Sequence, residues 1–356
     1  MARQSFRQIG MLIVGAWCHH QGMNVDRAIT PIAVDGTLAR IRQLAPETAN
    51  PVHKQHLVSA VLLERFAEPS PAGLSLYPFD LNRPDSRHTL KGVKGVGWVK
   101  DFIPYASGSL EQLWNDTEQH LPTVFSAVDA GTALDDPSHV SVLRDLLALH
   151  LTRSRTYRDL HVQSFIRAYL WTLARLTGEL REELRAAVLR ERGLHLAGPG
   201  GIEYFAHRYL EPSVELFGSW ALLRARIEEI YAKARHQVAN AGLQIITPQD
   251  DNEFLIGDTP AFTRGAGPQG PTIRVALADA TTALLPLGPR HLLALSRSNE
   301  TLTIPWPAVM EINTLQVLTA HDRVFLRPSS GLQNLVRDIC HRRQELDRLS
   351  AGQRSE

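Results

Sequence analysis

Two histidines open an apolar segment in the first fifth of the sequence. They stand three residues apart in HKQHLVSAVLLERFA, as His53 and His56. An imidazole titrates near neutral pH, so His56 could act as a general base or as a metal ligand. The apolar spacing predicts a helix from His56 to Phe66. His56 could therefore also be an N-terminal helix residue that hydrogen-bonds to the backbone.

A pair of carboxylates follows in SLEQLWNDTE, where Glu111 and Glu118 are seven residues apart. On the predicted helix they share one face and lie about 10 Å apart along the axis. That distance is too long for one helix to chelate a metal alone. The pair could orient two separate partners, such as Arg153 and a ligand. Alternatively it forms a solvated acidic face, where Glu111 also favours the helix dipole.

A histidine and an arginine follow on a longer predicted helix. His150 and Arg153 are three residues apart in HLTRSRTYRD and are therefore neighbours on its surface. Together with Arg155 and Arg158, Arg153 could form a face that binds an anion or a phosphate. The alternative is a hydrated helix face on which Arg153 pairs with Glu118.

An aspartate ends a predicted strand in FLIGDTPAF. Asp258 stands where catalytic or ligand carboxylates are common. It could equally form an Asx-turn that holds the backbone ahead of Pro260.

The elements that must position these residues fall into two kinds. Helical periodicity dominates the middle of the chain, with a long helical region that begins at Pro137 and is broken near residue 160. After Gly242 the pattern alternates with a period of two, which indicates short strands. The sequence predicts an α+β fold whose helical middle packs on a mostly antiparallel sheet built from early and late strands. We expect a poorly ordered extension over 1–50, one α+β domain over 51–330, and a C-terminal helix and tail over 331–356.

Composition excludes several classes of protein. The net charge of +1 gives no general attraction to nucleic acid or to an anionic membrane. Two cysteines, Cys18 and Cys340, make no disulfide framework, which favours a reducing, cytoplasmic location. No apolar stretch approaches the roughly 20 residues of a membrane helix, so no membrane partner is expected. The sequence has neither a GxSxG nor an HExxH motif, and the glycines of GVKGVG, residues 92–97, do not have phosphate-loop spacing.

The chain resembles the bacterial domain-of-unknown-function family 4238 at five places, in order. The family opens with His-His-x-x-Pro and Tyr-Leu-x-x-Phe, and QHLVSAVLLERF is the corresponding segment. His56, Leu63 and Phe66 match that pattern. The family residues are replaced at three positions: Gln55, Ser59 and Leu62.

The other four places carry single matched residues or a short strand. The family's Leu-Glu…Glu segment corresponds to Glu111 and Glu118. Its Gln-x-x-Arg-Thr corresponds to HLTRS, with His150 in place of the glutamine and Arg153 retained. Its Ser-Asp-Asn-Pro turn corresponds to GDTP around Asp258, and its Leu-Pro-Leu-Ser-Pro strand to LPLGP. The resemblance implies a shared fold and carries little information on activity.

Two hypotheses for the function follow. In the first, the protein is a non-catalytic binding or interaction protein. Its signature residues then form a buried polar network, with Arg153 bridging Glu118 and the Asp258 turn.

In the second, the protein is a hydrolase, such as a metal-dependent nuclease or a phosphodiesterase-like enzyme. His56 is then a base or ligand, Glu118 and Asp258 are acids or ligands of a divalent metal, and Arg153 clamps a phosphate. His150 and Glu111 would add ligand contacts. This hypothesis predicts that His56, Glu118, Arg153 and Asp258 converge within about 10 Å.

Overall fold

A computed structural model describes residues 54–100, 102, 108–218, 221–267 and 270–352. The predicted extension over 1–50 and His53 lie outside the described residues. The helices are α1 Ala60–Glu64, α2 Gly108–Glu118, α3 Leu121–Asp129, α4 Pro137–Thr152, α5 Arg155–Thr177, α6 Arg181–Arg192, α7 Pro199–Gly218, α8 Ala221–Val238, α9 Trp306–Thr319 and α10 Gln333–Gly352. The strands are β1 Lys54–His56, β2 Glu68–Ser70, β3 Gly73–Asp80, β4 Lys91–Gly92, β5 Trp98–Lys100, β6 Gly242–Pro248, β7 Ile256–Gly257, β8 Phe262–Gly267, β9 Gly270–Ile273, β10 Thr282–Gly288, β11 His291–Ser296, β12 Glu300–Ile304 and β13 Arg323–Leu326.

The first element is a strand, so the helix predicted from His56 is wrong at its start. Lys54–His56 pairs antiparallel with β5, and His56 lies opposite Trp98. The carbonyl of Gly97 then accepts the amides of Leu57 and Val58, and this turn delays the helix until Ala60. Three alternating residues are too short a pattern to distinguish from the first turn of a helix.

The long helical region is broken at Arg153, rather than near residue 160. Asp136 caps α4 by accepting the amide of Ser138, and Pro137 stands in the first turn, where its missing N–H costs nothing. Arg153 leaves the helical conformation with φ −89° and ψ 70°. α5 starts two residues later.

The late strands form a six-stranded sheet in the order β12-β6-β11-β10-β8-β9. Its pairs are antiparallel except for β12 beside β6. The early strands join late ones in a second sheet, β2-β3-β13-β7, with β4 also on β3. That second sheet contains the predicted combination of early and late strands, and the α+β class is confirmed. The remaining strands, β1 and β5, form a sheet of two.

The chain divides into two compact units. Among the described residues, Tyr157–Arg226 makes up one unit, which is helical and has its own core around Val188, Ala206 and Leu210. The other unit contains all the strands named above. Its largest core joins α1, α3 and α4 to the six-stranded sheet through buried side chains that include Leu62, Leu146 and Leu285. Each such side chain adds roughly 1.5–3 kcal/mol by leaving water.

None of the helices in the described part of the chain is both long and apolar enough to cross a membrane.

Candidate functional site

Arg153 is the centre of a buried polar cluster. It is 2% exposed and donates a hydrogen bond of 2.9 Å from Nη1 to Oε1 of Glu118. Its guanidinium lies over the ring of Trp114, 4.3 Å from the centroid. Glu118 is 19% exposed, so the pair reaches solvent through its carboxylate. The predicted ion pair between Arg153 and Glu118 is therefore present, but it lies inside the unit and not on a hydrated helix face.

His150 lies one helical turn before Arg153 and is fully buried. Burial, reinforced by the positive charge of Arg153, lowers its pKa to about 3. The Leu57 backbone opposes this shift, but neither ring nitrogen makes a hydrogen bond of good geometry within the described residues. His150 is thus a neutral imidazole at physiological pH.

His56 approaches the same cluster from the end of β1 and is half-buried. Its pKa is lowered by burial first and then by Arg153 and Lys54, whereas Glu118 raises it. These influences place His56 within electrostatic reach of both members of the ion pair. A neutral, partly accessible imidazole can exchange a proton, so His56 is the member of the cluster best suited to chemistry.

The structure therefore brings together four of the six predicted site residues, from three separate segments. The end of β1 contributes His56, the end of α2 contributes Glu118, and the end of α4 with its C-cap contributes His150 and Arg153. Gln55 and Ser59, which flank His56 in the sequence, are fully buried too. Both are positions at which this sequence differs from the family signature. Glu111 lies on α2, but its side chain is outside the described part of the structure.

Asp258 belongs to a different cluster. Its carboxylate accepts the backbone amides of His321, Asp322 and Arg323 at 2.7, 2.9 and 3.2 Å. Burial raises its pKa, and these amide hydrogen bonds oppose the rise. Among the contacts of the described residues, none joins Asp258 to Arg153. The cation that reaches this turn is Arg155, which pairs with Asp322.

One group of side chains in the described part of the chain has the spacing of metal ligands. One ligand atom each from Asp258, His321 and Asp322 lies within 4.8 Å of the others. Both oxygens of Asp258 already accept amides, and Asp322 pairs with Arg155. Arg155 therefore already places one positive charge beside Oδ2 of Asp322, while Oδ1 of Asp322 lies 3.0 Å from Nδ1 of His321.

A third polar cluster was not predicted from the sequence. Arg65 donates to both carboxylate oxygens of Asp129, at 2.9 and 2.5 Å, and to the carbonyl of Leu287. Nδ1 of His291 lies 3.4 Å from Asp129 and from Arg65. The three residues come from positions more than 60 apart, and no local pattern connects them.

The fold and the site together define an α+β protein with a polar cluster around the buried Arg153, formed where three segments of the chain meet. The profile of a family described as "Protein of unknown function (DUF4238)" matches residues 54–330. The chain belongs to that family. No curated protein and no solved structure matches the chain.

Proposed function

We propose that the protein is a non-catalytic binding or interaction protein whose signature residues form a structural polar network. The observation that carries this proposal is the burial of Arg153. A side chain that is 2% exposed, hydrogen-bonded to Glu118 and packed on Trp114 has little surface to offer a ligand. His150 beside it is neutral and enclosed.

Two of the three arginines predicted to form a phosphate-binding face also support a structural role. Arg153 is engaged by Glu118 and Arg155 by Asp322. A phosphate or nucleic acid would have to displace these carboxylates before it could bind to Arg153 or Arg155. The helical unit meanwhile exposes large apolar side chains, among them Leu170, Trp171 and Tyr204, which suits contact with another macromolecule.

The test is the effect of Arg153→Ala on stability. Removing one partner of a buried pair costs about 3–5 kcal/mol, and the partial exposure of Glu118 places the expected loss near the lower end. The matched control is Arg297→Ala, because Arg297 is exposed. Thermal unfolding followed by circular dichroism should show a large drop in Tm for the first variant and almost none for the second. Equal Tm values for both variants would contradict the structural role.

A hydrolase using His56, Glu118 and Arg153 is the second candidate, and the partial exposure of His56 favours it. Asp258 is left out of this proposed hydrolytic site, because its carboxylate accepts the backbone amides of residues 321–323. Labelled RNA and DNA should be incubated with the protein across a panel of divalent metals, beside His56→Ala. Metal-dependent cleavage that His56→Ala abolishes without lowering Tm would establish the hydrolase and overturn the non-catalytic proposal.

A further inference from the structure

Helix α5 of the helical unit is packed on one side and exposed on the other. On the packed side Phe165 stacks on Phe217 of α7, with 3.8 Å between the ring centroids. On the exposed side Ile166 is 48%, Leu170 56% and Trp171 42% exposed. Ile166 and Leu170 are four residues apart, so they are neighbours on the helix surface. Large apolar side chains grouped in this way are typical of a contact surface on a soluble protein.

One cation lies within this apolar group. Arg167 stands three residues before Leu170 and four before Trp171, so it borders both on the helix surface. It is the only charged residue over 163–174. Arg167 is exposed, and no carboxylate of the described residues forms an ion pair with it. The α5 surface is therefore apolar with one positive charge, and it comprises Ile166, Arg167, Leu170 and Trp171.

Helix α7 exposes apolar side chains together with the opposite charge. Tyr204 is 61% exposed. Three glutamates and one arginine are also exposed on this helix: Glu203, Glu211, Glu215 and Arg208. Glu211 pairs with Arg208, whereas no cation of the described residues forms an ion pair with Glu203 or Glu215. The α7 surface therefore carries two net negative charges, and it comprises Glu203, Tyr204, Arg208, Glu211, Val214 and Glu215.

The α5 surface and the α7 surface are complementary to each other and not to themselves. Two α5 surfaces in contact would bring two unpaired arginines together, which like-charge repulsion disfavours. An α5 surface against an α7 surface would instead place Arg167 against Glu203 or Glu215, with apolar side chains on both sides. Within one chain the two surfaces do not meet, because Arg167 pairs with neither glutamate.

We propose that the α5 surface of one chain binds the α7 surface of a second copy of the same chain. Because two different surfaces are matched, the contact is heterologous, and each added copy leaves one surface of either kind open at the ends. The assembly therefore grows into a ring or a linear chain instead of stopping at a dimer. This gives the proposed interaction role a partner and rests on that role, but it involves no residue of the Arg153 network.

The experiment is sedimentation equilibrium of the full chain over a range of concentrations. Stable interfaces bury about 800 Å² on each partner, whereas each of these surfaces is one side of a single helix. We therefore expect weak association. The average mass should rise from that of one chain to more than that of two between about 1 and 500 µM.

Charge reversal tests which surfaces meet. Arg167→Glu should raise the Kd at least about tenfold, because like charges then face each other across the contact. A double variant with Glu203→Arg and Glu215→Arg should do the same from the other side. Combining all three substitutions in one chain should restore assembly, because the two charges are then exchanged. Arg190→Glu is the matched control, since Arg190 is exposed on α6, and it should assemble like the wild type.

A mixture of the two charge variants distinguishes this contact from other modes of assembly. Near the wild-type Kd, neither the Arg167→Glu variant nor the double variant should assemble alone. Mixed in equal amounts they should form a dimer of one copy of each. The first keeps its α7 surface and the second keeps its α5 surface, so one contact forms and growth stops there.

The apolar part of the α5 surface is tested separately. Leu170→Ser should weaken assembly, whereas Leu189→Ser should not, although Leu189 on α6 is also 41% exposed. Circular dichroism should show that each variant is folded, because every substituted side chain is exposed.

Three results would each overturn the proposal. They are a wild-type protein that remains a single chain up to about 500 µM, assembly that Arg167→Glu leaves unchanged, and a mixture of charge variants without a dimer. If the wild type is a single chain while Arg153→Ala still lowers the Tm, this inference fails and the structural role of the Arg153 network is retained.

Discussion

Arg153 shows how a charged side chain can be kept inside a protein. Its hydrogen bond to Glu118 compensates the charge, and the ring of Trp114 covers the guanidinium face. The ion pair with Glu118 could be anticipated, because both residues lie on predicted helices. Its burial could not be anticipated, since that depends on β1, α2 and α4 meeting in space. The same limit applies to Arg65, Asp129 and His291.

The buried imidazole of His150 makes stability depend on pH. Its pKa is about 3 in the folded chain and near 6.5 when unfolded, so below pH 6.5 the unfolded state binds more protons. Stability is therefore lost as the pH falls, by about 1.4 kcal/mol for each pH unit from this residue. Urea unfolding at pH 7 and pH 5 should show a loss of about 2 kcal/mol from His150 alone.

The control for this prediction is His150→Gln, which carries the residue of the family signature. Its stability should fall less between pH 7 and pH 5 than that of the wild type. His161, whose pKa is lowered to about 4, accounts for part of the remaining dependence. An identical pH dependence in both proteins would show that His150 is not buried as a neutral ring.

Asp258 is expected to be structural. Asp258→Asn keeps the size of the side chain but loses the charge and one of the two oxygens that hold three backbone amides. Hydrogen bonds to a charged group contribute about 1.5–3 kcal/mol, and the burial that raises the pKa of Asp258 offsets part of this, so a loss of about 1–2 kcal/mol is expected. Thermal unfolding measures it, with the exposed Asp251→Asn as control. A metal chelator that lowers the Tm of the wild type as much as Asp258→Asn does would instead indicate a metal site.

At the scale of elements, the turn between β1 and α1 depends on Gly97. This residue has φ +70°, and a Cβ there would lie 2.4 Å from Cδ1 of the buried Leu63. Its carbonyl holds the amides of Leu57 and Val58, which follow His56. No local pattern indicates that Gly97 supports His56, because that role depends on strand pairing across about 40 residues.

Gly97→Ala should therefore destabilise the protein by about 2–4 kcal/mol, from backbone strain and the clash with Leu63. Gly95→Ala is the matched control, because nothing lies within 4 Å of its Cβ position and its φ is not positive. Denaturant unfolding of the two variants gives the comparison. Equal stability would mean that the turn adopts another conformation.

The boundary between α4 and α5 is not marked by any local signal in the sequence. The segment has neither glycine nor proline between Pro137 and Thr177, so local propensity does not mark the break at Arg153. The break occurs where Arg153 turns inward to Glu118 and Arg155 turns to Asp322. Tertiary contacts therefore set this boundary, whereas the capping residues Asp136 and Pro137 predict the start of α4.

At the scale of the whole molecule, alternation in the sequence predicts the late strands well. Buried strands such as β10 and β11 are recognised for another reason, because they are short apolar runs bounded by turns. The order of the strands in the sheets does not follow from alternation. The sequence therefore predicts the α+β class, but not the division of the described strands among three sheets.

Hydrogen exchange should reflect the sheet order. β11 is paired on both sides, by β6 and β10, and its Leu292 and Leu293 are fully buried. Its amides should exchange more slowly than those of the edge strand β12, where Leu302 is 37% exposed. Mass spectrometry of deuterated peptides from the two strands measures this. Equal rates would contradict the central position of β11.

The pairing of β3 with β13 has a consequence for how the chain is made in the cell. β3 ends at Asp80, and its partner begins at Arg323, so about 240 residues separate their synthesis on the ribosome. At a translation rate of about 5–20 residues per second, β13 is synthesised roughly 12–50 s after β3. During this interval one side of the strand has an open edge, on which another nascent chain could pair. Chaperone dependence during translation is therefore expected to be greatest before Leu326 has left the ribosome.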